Sequence, residues 1–143
     1  MKISVIGTGY VGLVTGVCFA DLGHKVICVD NDKNKVNMLN SAECPIYEEG
    51  LSDLLIKHVN SNLEATTSLY TAVMETDITI IAVGTPFDGD TIDLQFIKQV
   101  TKQIGQVIKN KSKYHTVVVK STVVPGTTDQ VVLPILEKYS GKK

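Results

Sequence analysis

Three glycines near the amino terminus have the spacing of a phosphate-binding turn. Gly7, Gly9 and Gly12 follow the apolar run 2–6, which is typical of a buried strand, and lead into the apolar stretch 13–22, which has helical spacing. Such a junction can bind a pyrophosphate on backbone N–H groups at the helix N-terminus. Gly7 permits the tight turn, Gly9 leaves room for the phosphates, and Gly12 lets the helix pack closely on the strand. A glycine-rich turn without a ligand is the alternative that the glycines alone leave open.

An acidic residue stands where a second strand should end. The strand-like run 25–29 is followed by Asp30, 18 residues after Gly12, and a carboxylate at this position can accept hydrogen bonds from the ribose hydroxyls of adenosine. Together with the glycines, it predicts a dinucleotide-binding βαβ unit. Taken alone, Asp30 could instead be a helix N-cap, a role equally open to Asn31 or Asp32.

The same carboxylate indicates which dinucleotide is bound. A 2′-phosphate would meet the negative charge of Asp30, and NADP sites usually compensate for such a charge with an arginine. All 14 basic residues of this chain are lysines. The sequence therefore favours NAD over NADP.

Length and composition are those of one globular domain. The chain has 143 residues, of which 43% are hydrophobic and 20% charged, enough for a single core. A net charge near −1 argues against nucleic acid as a partner. No apolar run approaches the ~18 residues of a membrane span. We therefore expect no membrane partner. Because Lys2 begins the first strand, we also expect no signal peptide. The three cysteines indicate a reducing compartment, and we expect a cytoplasmic location.

The other reactive side chains are interpreted as structural. The odd number of cysteines and the lack of ligand spacing argue against disulfides and a metal site; we expect Cys18 and Cys28 in the core and Cys44 nearer the surface.

The histidines are isolated, and we predict surface or turn positions for His24, His58 and His115. A lysine cluster is predicted to be the solvated end of a helix and comprises Lys109, Lys111 and Lys113.

Strand and helix patterns alternate along the chain, which predicts an α/β fold with a parallel sheet covered on both faces. This is the Rossmann-type doubly wound sheet, with strand order 3-2-1-4-5-6. Five strands can be counted, so we expect the sixth strand to be truncated. The predicted strands lie near 2–6, 25–29, 63–66, 78–83 and 116–120, and the predicted helices near 10–22, 32–41, 50–59, 68–75, 93–110 and 127–139.

Ligands of such sheets bind beyond the carboxyl ends of the strands, where this sequence has two threonines. Thr85 follows the fourth predicted strand and Thr122 the fifth. Their hydroxyls could face the nicotinamide half of the cofactor or a water molecule. The ordinary alternative for both is local hydrogen bonding to the backbone of a turn.

Several segments together resemble the UDP-glucose/GDP-mannose 6-dehydrogenase family over essentially the whole chain. The resemblance implies an enzyme that oxidises the C6 hydroxyl of a nucleotide sugar to a carboxylate with two NAD, through a thioester on a cysteine. It also implies that the full-length protein is a homodimer. The segments are Gly7 to Leu13, Val29-Asp30, Pro45 to Leu51, Gly84-Thr85-Pro86, and Lys120 to Val123 with Pro125-Gly126-Thr127.

The resemblance implies roles for single residues. Val11 corresponds to the residue whose backbone contacts the pyrophosphate, and Asp30 and Lys35 correspond to the pair on the adenosine ribose. Thr85 corresponds to a threonine beside the cofactor, and Thr122 to a hydroxyl that contacts NAD and helps to orient the hydrolytic water. Without the resemblance, Lys35 could be an exposed helix lysine. The predicted cofactor-binding residues are therefore Gly7, Gly9, Tyr10, Val11, Gly12, Asp30, Lys35, Thr85 and Thr122.

The chain departs from the family pattern in two ways. Glu49 stands where the family usually has proline; both residues suit a first helical turn, so we expect little effect. The family's catalytic glutamate, its Gly-Gly-Ser-Cys nucleophile segment and its sugar-binding domain have no counterpart in these residues. We therefore expect 1–143 to be an NAD-binding domain that is inactive alone.

The sequence supports one interpretation and leaves alternatives open. We interpret the chain as part of a UDP-glucose 6-dehydrogenase, with GDP-mannose or a UDP-N-acetylhexosamine as alternative substrates. A stand-alone nucleotide-binding module without catalysis is the alternative from another class. If the sixth strand is missing, we expect strand 116–120 to lie at the border of the sheet and to promote self-association.

Overall fold

Five parallel strands form the centre of the part of the chain that the computed structural model describes, residues 1–87 and 89–143. Their order is β3-β2-β1-β4-β5. The strands are β1 (Lys2–Ile6), β2 (Lys25–Val29), β3 (Leu63–Thr66), β4 (Ile78–Ile81) and β5 (Thr116–Val119). The helices are α1 (Tyr10–Asp21), α2 (Lys33–Asn40), α3 (Leu51–His58), α4 (Leu69–Glu75), α5 (Gln95–Ile108) and α6 (Leu133–Ser140), the last preceded directly by a π-helical segment, Thr128–Val132.

Both faces of the sheet are covered by helices, as continuous apolar strands require. The core on one face of β1 combines Ile3 and Val5 with residues of α1 and α3, and α1 contacts both β1 and α3. The other layer contains α4, α5 and α6, and its core includes Ile97 and Ile104 of α5. The predicted Rossmann-type fold and its strand order are thus confirmed for the five observed strands.

The strand boundaries differ slightly from the prediction. The sequence predicts strands 78–83 and 116–120, but β4 ends at Ile81 and β5 at Val119. The amides of Lys120 and Ser121 both donate to the carbonyl oxygen of Ile81, at 2.8 and 3.1 Å. One acceptor therefore serves two successive donors, and the regular ladder of hydrogen bonds stops there.

Four side chains are placed differently from the prediction. Cys18 is exposed rather than in the core. His58 is only 8% exposed, because its Nε2 lies 2.9 Å from Asp21 Oδ1 and its Nδ1 lies 2.9 Å from Asn62 Oδ1. These partners are distant in sequence or lie beyond the end of the helix, so an isolated histidine gave no sign of them. The other two are Lys111, which is buried, and His115, which is partly buried.

Two kinds of feature are absent from the described residues. None of the helices there is long and apolar enough to cross a membrane. The same ranges contain no group of three or more His, Cys, Asp or Glu side chains that could hold a metal ion.

Candidate functional site

A cleft of about 1040 Å³ opens at the carboxyl edge of the sheet. The register of the central strands explains its position, because Ile6 of β1 is level with Val29 of β2 and with Ile81 of β4. The chain therefore leaves all three strands at the same height. The residues that follow, beginning with Gly7 and Asp30, line the cleft together.

The three glycines of the turn have distinct local environments. Gly7 has φ +99°, and a Cβ there would lie 2.7 Å from the carbonyl oxygen of Ala82. A Cβ on Gly12 would overlap the carbonyl oxygen of Gly7, so helix α1 approaches the end of β1 as closely as predicted. A Cβ on Gly9 would meet nothing within 4 Å. Gly9 therefore borders open space in the cleft, and that space is a cradle that a diphosphate can fill.

Helix α1 begins at this open space with free donors. Its N-cap is Gly9, and among the described residues no side chain caps the helix, nor does its first turn contain an acidic residue. The first N–H groups of a helix have no partner within the helix, and together with the helix dipole they attract anions. The turn and the helix start can therefore attract an anion such as a phosphate, and no carboxylate in that first turn competes with it.

Asp30 is held firmly by the glycine turn and by its own loop. Its Oδ2 accepts hydrogen bonds from the Thr8 amide at 3.0 Å and from the Thr8 hydroxyl at 2.5 Å. Its Oδ1 accepts one from the Asp32 amide at 3.0 Å. Partial burial alone would raise the pKa of Asp30, but these hydrogen bonds and the nearby Lys35 charge lower it below its usual value. Asp30 is therefore an ionised acceptor.

The alternative role of helix cap belongs to another residue. Asp32 is the N-cap of α2, and its Oδ1 accepts from the amides of Asn34 and Lys35. Asp30 is thus free of that role and stands at the cleft wall with Lys35.

At the other end of the cleft, the two predicted threonines are linked. The hydroxyl of Thr85 donates to the carbonyl oxygen of Thr122 at 2.8 Å. Beside it, the hydroxyl of Ser121 donates to the carbonyl oxygen of Val83 at 2.7 Å. Each of the loops after β4 and β5 therefore donates a hydrogen bond to the other. These two bonds fix the backbone that carries the Thr122 side chain.

The structure brings the predicted residues together. Eight of the nine line the cleft: Gly7, Gly9, Tyr10, Val11, Asp30, Lys35, Thr85 and Thr122. Gly12 lies behind the turn, where it packs on Gly7. Sequence reasoning missed Thr8, whose type between two glycines carries no recognisable signal. It also missed the wall formed by the start of α4 and one side of α5, which includes Leu69, Tyr70, Phe96, Val100 and Gln103.

The parallel sheet, the glycine turn at a helix start and the acid after β2 define a dinucleotide-binding domain of the kind found in oxidoreductases. The model of the UDP-glucose/GDP-mannose dehydrogenase family, NAD binding domain, matches residues 1–143. The chain belongs to this family and forms its NAD-binding domain.

Similar proteins act on more than one sugar. The chain is 44% identical over 146 residues to GDP-mannose 6-dehydrogenase of Azotobacter vinelandii and 43% identical over 144 residues to UDP-glucose 6-dehydrogenase AglM of Haloferax volcanii. In each case the match covers 100% of this chain and 33% of the relative. The chain thus spans about a third of the length of these relatives.

Solved structures give the same picture. A ternary complex of GDP-mannose dehydrogenase from Pseudomonas aeruginosa superimposes with a TM-score of 0.97 at 44% identity, covering 100% of this chain and 33% of that one. A UDP-glucose dehydrogenase from Pyrobaculum islandicum superimposes with a TM-score of 0.92 at 42% identity, covering 99% and 33%.

Proposed function

We propose that the chain binds NAD in this cleft, as the cofactor domain of an enzyme that oxidises C6 of a nucleotide sugar. The observation that carries the proposal is the position of two groups in one cleft: the open space over Gly9 at the start of α1, and the ionised Asp30 beside it. The first accommodates a diphosphate and the second accepts hydrogen bonds from ribose hydroxyls. When bound, NAD accepts a hydride from the carbon that is oxidised.

The remaining cleft residues have proposed roles along the same cofactor. The backbone of Tyr10 and Val11 in the first turn of α1 would donate to the pyrophosphate. Lys35 would act with Asp30 at the adenosine ribose. The linked Thr85 and Thr122 would lie at the nicotinamide end, where Thr122 would also help to position the hydrolytic water. Their common exposure to one cleft supports these roles.

The sugar-binding residues and the nucleophile are proposed to lie outside residues 1–143. The cysteines within this range are unsuited to the task. Burial raises the pKa of the Cys28 thiol to about 12, so it is not a thiolate at neutral pH. Cys18 and Cys44 do not line the cleft, and the Cys44 thiol donates to the carbonyl oxygen of Ile46.

For the complete protein we propose UDP-glucose as the substrate, a homodimeric assembly and a cytoplasmic location. The similarity to UDP-glucose dehydrogenases supports the substrate, and the three free cysteines fit a reducing compartment. GDP-mannose is the second candidate, since relatives of that activity match equally well. The complete protein, assayed with UDP-glucose, GDP-mannose and UDP-N-acetylhexosamines while NADH is followed, would decide; NADH formation with GDP-mannose alone would replace the first candidate.

Cofactor binding is tested on the 143 residues themselves. Calorimetry should show NAD binding that is tighter than NADP binding, because Asp30 repels a 2′-phosphate. Asp30→Ala should weaken NAD binding by about 1–3 kcal/mol, the scale of a lost hydrogen bond to a charged group. Equal or tighter binding of NADP by the unaltered protein would contradict the assignment, and unchanged NAD affinity in the variant would place the ribose elsewhere.

A further inference from the structure

A glycine turn of this kind does not in general require a hydroxyl at the position of Thr8. Thr8 lies between Gly7 and Gly9 and is 0% exposed. A backbone amide at this position serves the turn whatever the side chain. The hydroxyl, however, donates to Asp30 Oδ2 at 2.5 Å, across 22 residues of sequence.

The contacts of Asp30 are divided unevenly between its two oxygens. Oδ2 receives two hydrogen bonds, both from Thr8, whereas Oδ1 receives one, from the Asp32 amide. A carboxylate offers about four acceptor positions in total. Thr8 therefore occupies Oδ2. Oδ1 keeps some acceptor capacity and is the oxygen that is available to a ligand.

The same hydrogen bond affects the charge of the carboxylate. A hydroxyl donor stabilises the ionised form of its partner and cannot serve the protonated form in the same way. Without this hydrogen bond, the partial burial of Asp30 would favour its protonated form more strongly. An ionised carboxylate only accepts hydrogen bonds, so it suits ribose hydroxyls and repels a phosphate.

We propose that Thr8 is a positioning residue for cofactor recognition, whose hydroxyl orients Asp30 toward the adenosine ribose and keeps it in the accepting form. The inference rests on the proposed binding of NAD in this cleft. Thr8 itself touches no cofactor in this proposal; it acts through Asp30.

The test compares variants that remove or keep the hydroxyl. Thr8→Val removes it at nearly constant shape and should weaken NAD binding about tenfold. Thr8→Ser keeps it and should restore most of the affinity. The matched control is Thr101→Val in α5, because Thr101 is also 0% exposed and its hydroxyl has no hydrogen-bond partner within the described residues. This control should bind NAD like the unaltered protein.

A second readout distinguishes positioning from a structural effect. The carboxyl carbon of Asp30, followed by NMR as the pH is varied, should titrate at higher pH in Thr8→Val than in the unaltered protein or in Thr8→Ser. A variant with normal NAD affinity and an unchanged Asp30 titration would overturn the proposal. If Thr8→Val does not fold, Thr8→Ala removes the same hydroxyl and is judged by the same two measurements.

A double-mutant cycle separates this proposal from the proposed function. In an Asp30→Ala background, Thr8→Val should cause little further loss of NAD affinity, because the acceptor through which the Thr8 hydroxyl acts is no longer there. If Asp30→Ala alone leaves NAD binding unchanged, the proposed site is wrong. If Asp30→Ala weakens binding but Thr8→Val does not, only the role of Thr8 is wrong. Full loss from Thr8→Val on top of Asp30→Ala would likewise contradict the role of Thr8 alone.

Discussion

The two edges of the sheet use the same kinds of polar side chain in opposite ways. At the carboxyl edge, Asp30, Thr85 and Thr122 are fixed by hydrogen bonds yet line an open cleft. At the amino edge, the side chains of Ser4, Thr76 and Lys111 are buried, and they bond to one another or to the backbone. Polarity near a strand end is therefore not in itself evidence of a site; unused acceptor or donor capacity facing open space is.

At the amino edge of the sheet, the side chain of Lys111 has several hydrogen-bond partners. Its Nζ donates to the carbonyl oxygen of Val73 at 2.7 Å and to that of Thr76, both near the C-terminus of α4. It also lies 2.8 Å from His115 Nδ1. A lysine at the end of a helix satisfies carbonyl groups that the helix leaves without partners. We call Lys111 and His115, together with the hydroxyls of Ser4, Thr76 and Thr79, the amino-edge network.

His115 continues the network in its neutral form. An ammonium group only donates, so the ring nitrogen that faces Lys111 must accept. The other nitrogen, Nε2, lies 2.8 Å from the Thr79 hydroxyl, which is 2.7 Å from the Ser4 hydroxyl. Burial, together with the Lys111 charge, lowers the pKa of His115 to about 4, although its contact with the Thr76 carbonyl acts in the opposite direction. This network contributes to the stability of the fold.

The largest expected effect concerns binding alone. Gly9→Val places a side chain in the open space over the turn and should abolish NAD binding while the protein remains folded, because a Cβ there meets no protein atom within 4 Å. Gly12→Ala is the matched contrast, since its Cβ would overlap the Gly7 carbonyl and should destabilise the fold. Calorimetric titration and circular dichroism check both variants. Normal affinity in a folded Gly9→Val protein would remove the turn from the site.

The second effect concerns stability alone. Lys111→Met keeps the length of the side chain but leaves the carbonyl groups of Val73 and Thr76 without this donor, and should lower the free energy of unfolding by about 1–3 kcal/mol. NAD affinity should not change. Lys109→Met, on an exposed neighbour at the end of α5, is the control and should stay within about 0.5 kcal/mol. Denaturant unfolding checks both, and equal stabilities would show that Lys111 is not a structural donor.

A third, smaller effect is a pH dependence that originates at His115. Its pKa is about 4 in the folded protein, against an ordinary value of 6.5, so the unfolded chain binds more protons between these values. The free energy of unfolding should therefore rise with pH across this window, reach its full value above about 6.5, and fall on acidification toward 4. Because His115 is only half buried, we expect roughly 1–2 kcal/mol.

The measurement compares the unaltered protein with His115→Gln. The slope of unfolding free energy against pH between 4 and 6.5 should flatten in the variant. Nearby charged groups include Lys111 and Asp77, and because the ring is partly shielded from solvent, added salt should reduce the effect only modestly. The same slope in both proteins would assign the pH dependence to other groups.

Predictability from the sequence follows the same division between the two edges. The strand order and the gathering of Gly9, Asp30 and Thr122 were predictable, because parallel strands share one carboxyl edge and their apolar runs are long and regular. The environments of Lys111 and His58 were not. Both depend on partners far away in the sequence, such as Val73 or Asp21, and no local pattern of hydrophobicity encodes such pairs. The hydrogen bond from Thr8 to Asp30 escaped prediction for the same reason.

The smallest expected effect concerns the two side edges of the sheet, β3 and β5. Strand β3 carries the exposed Glu64, a charge that disfavours pairing with another chain. Strand β5 is Thr-Val-Val-Val, and Val118 is 41% exposed; within the described residues, β5 pairs on one side, with β4.

We expect residues 1–143 to self-associate weakly through β5 at high concentration. Val118→Lys should abolish this association. Val118→Thr, which keeps the β propensity without adding a charge, should not abolish it. Sedimentation velocity over a concentration series checks all three proteins. If the unaltered protein stays monomeric at the highest concentration, β5 is protected in some other way and the absence of a charge on a border strand is not sufficient for association.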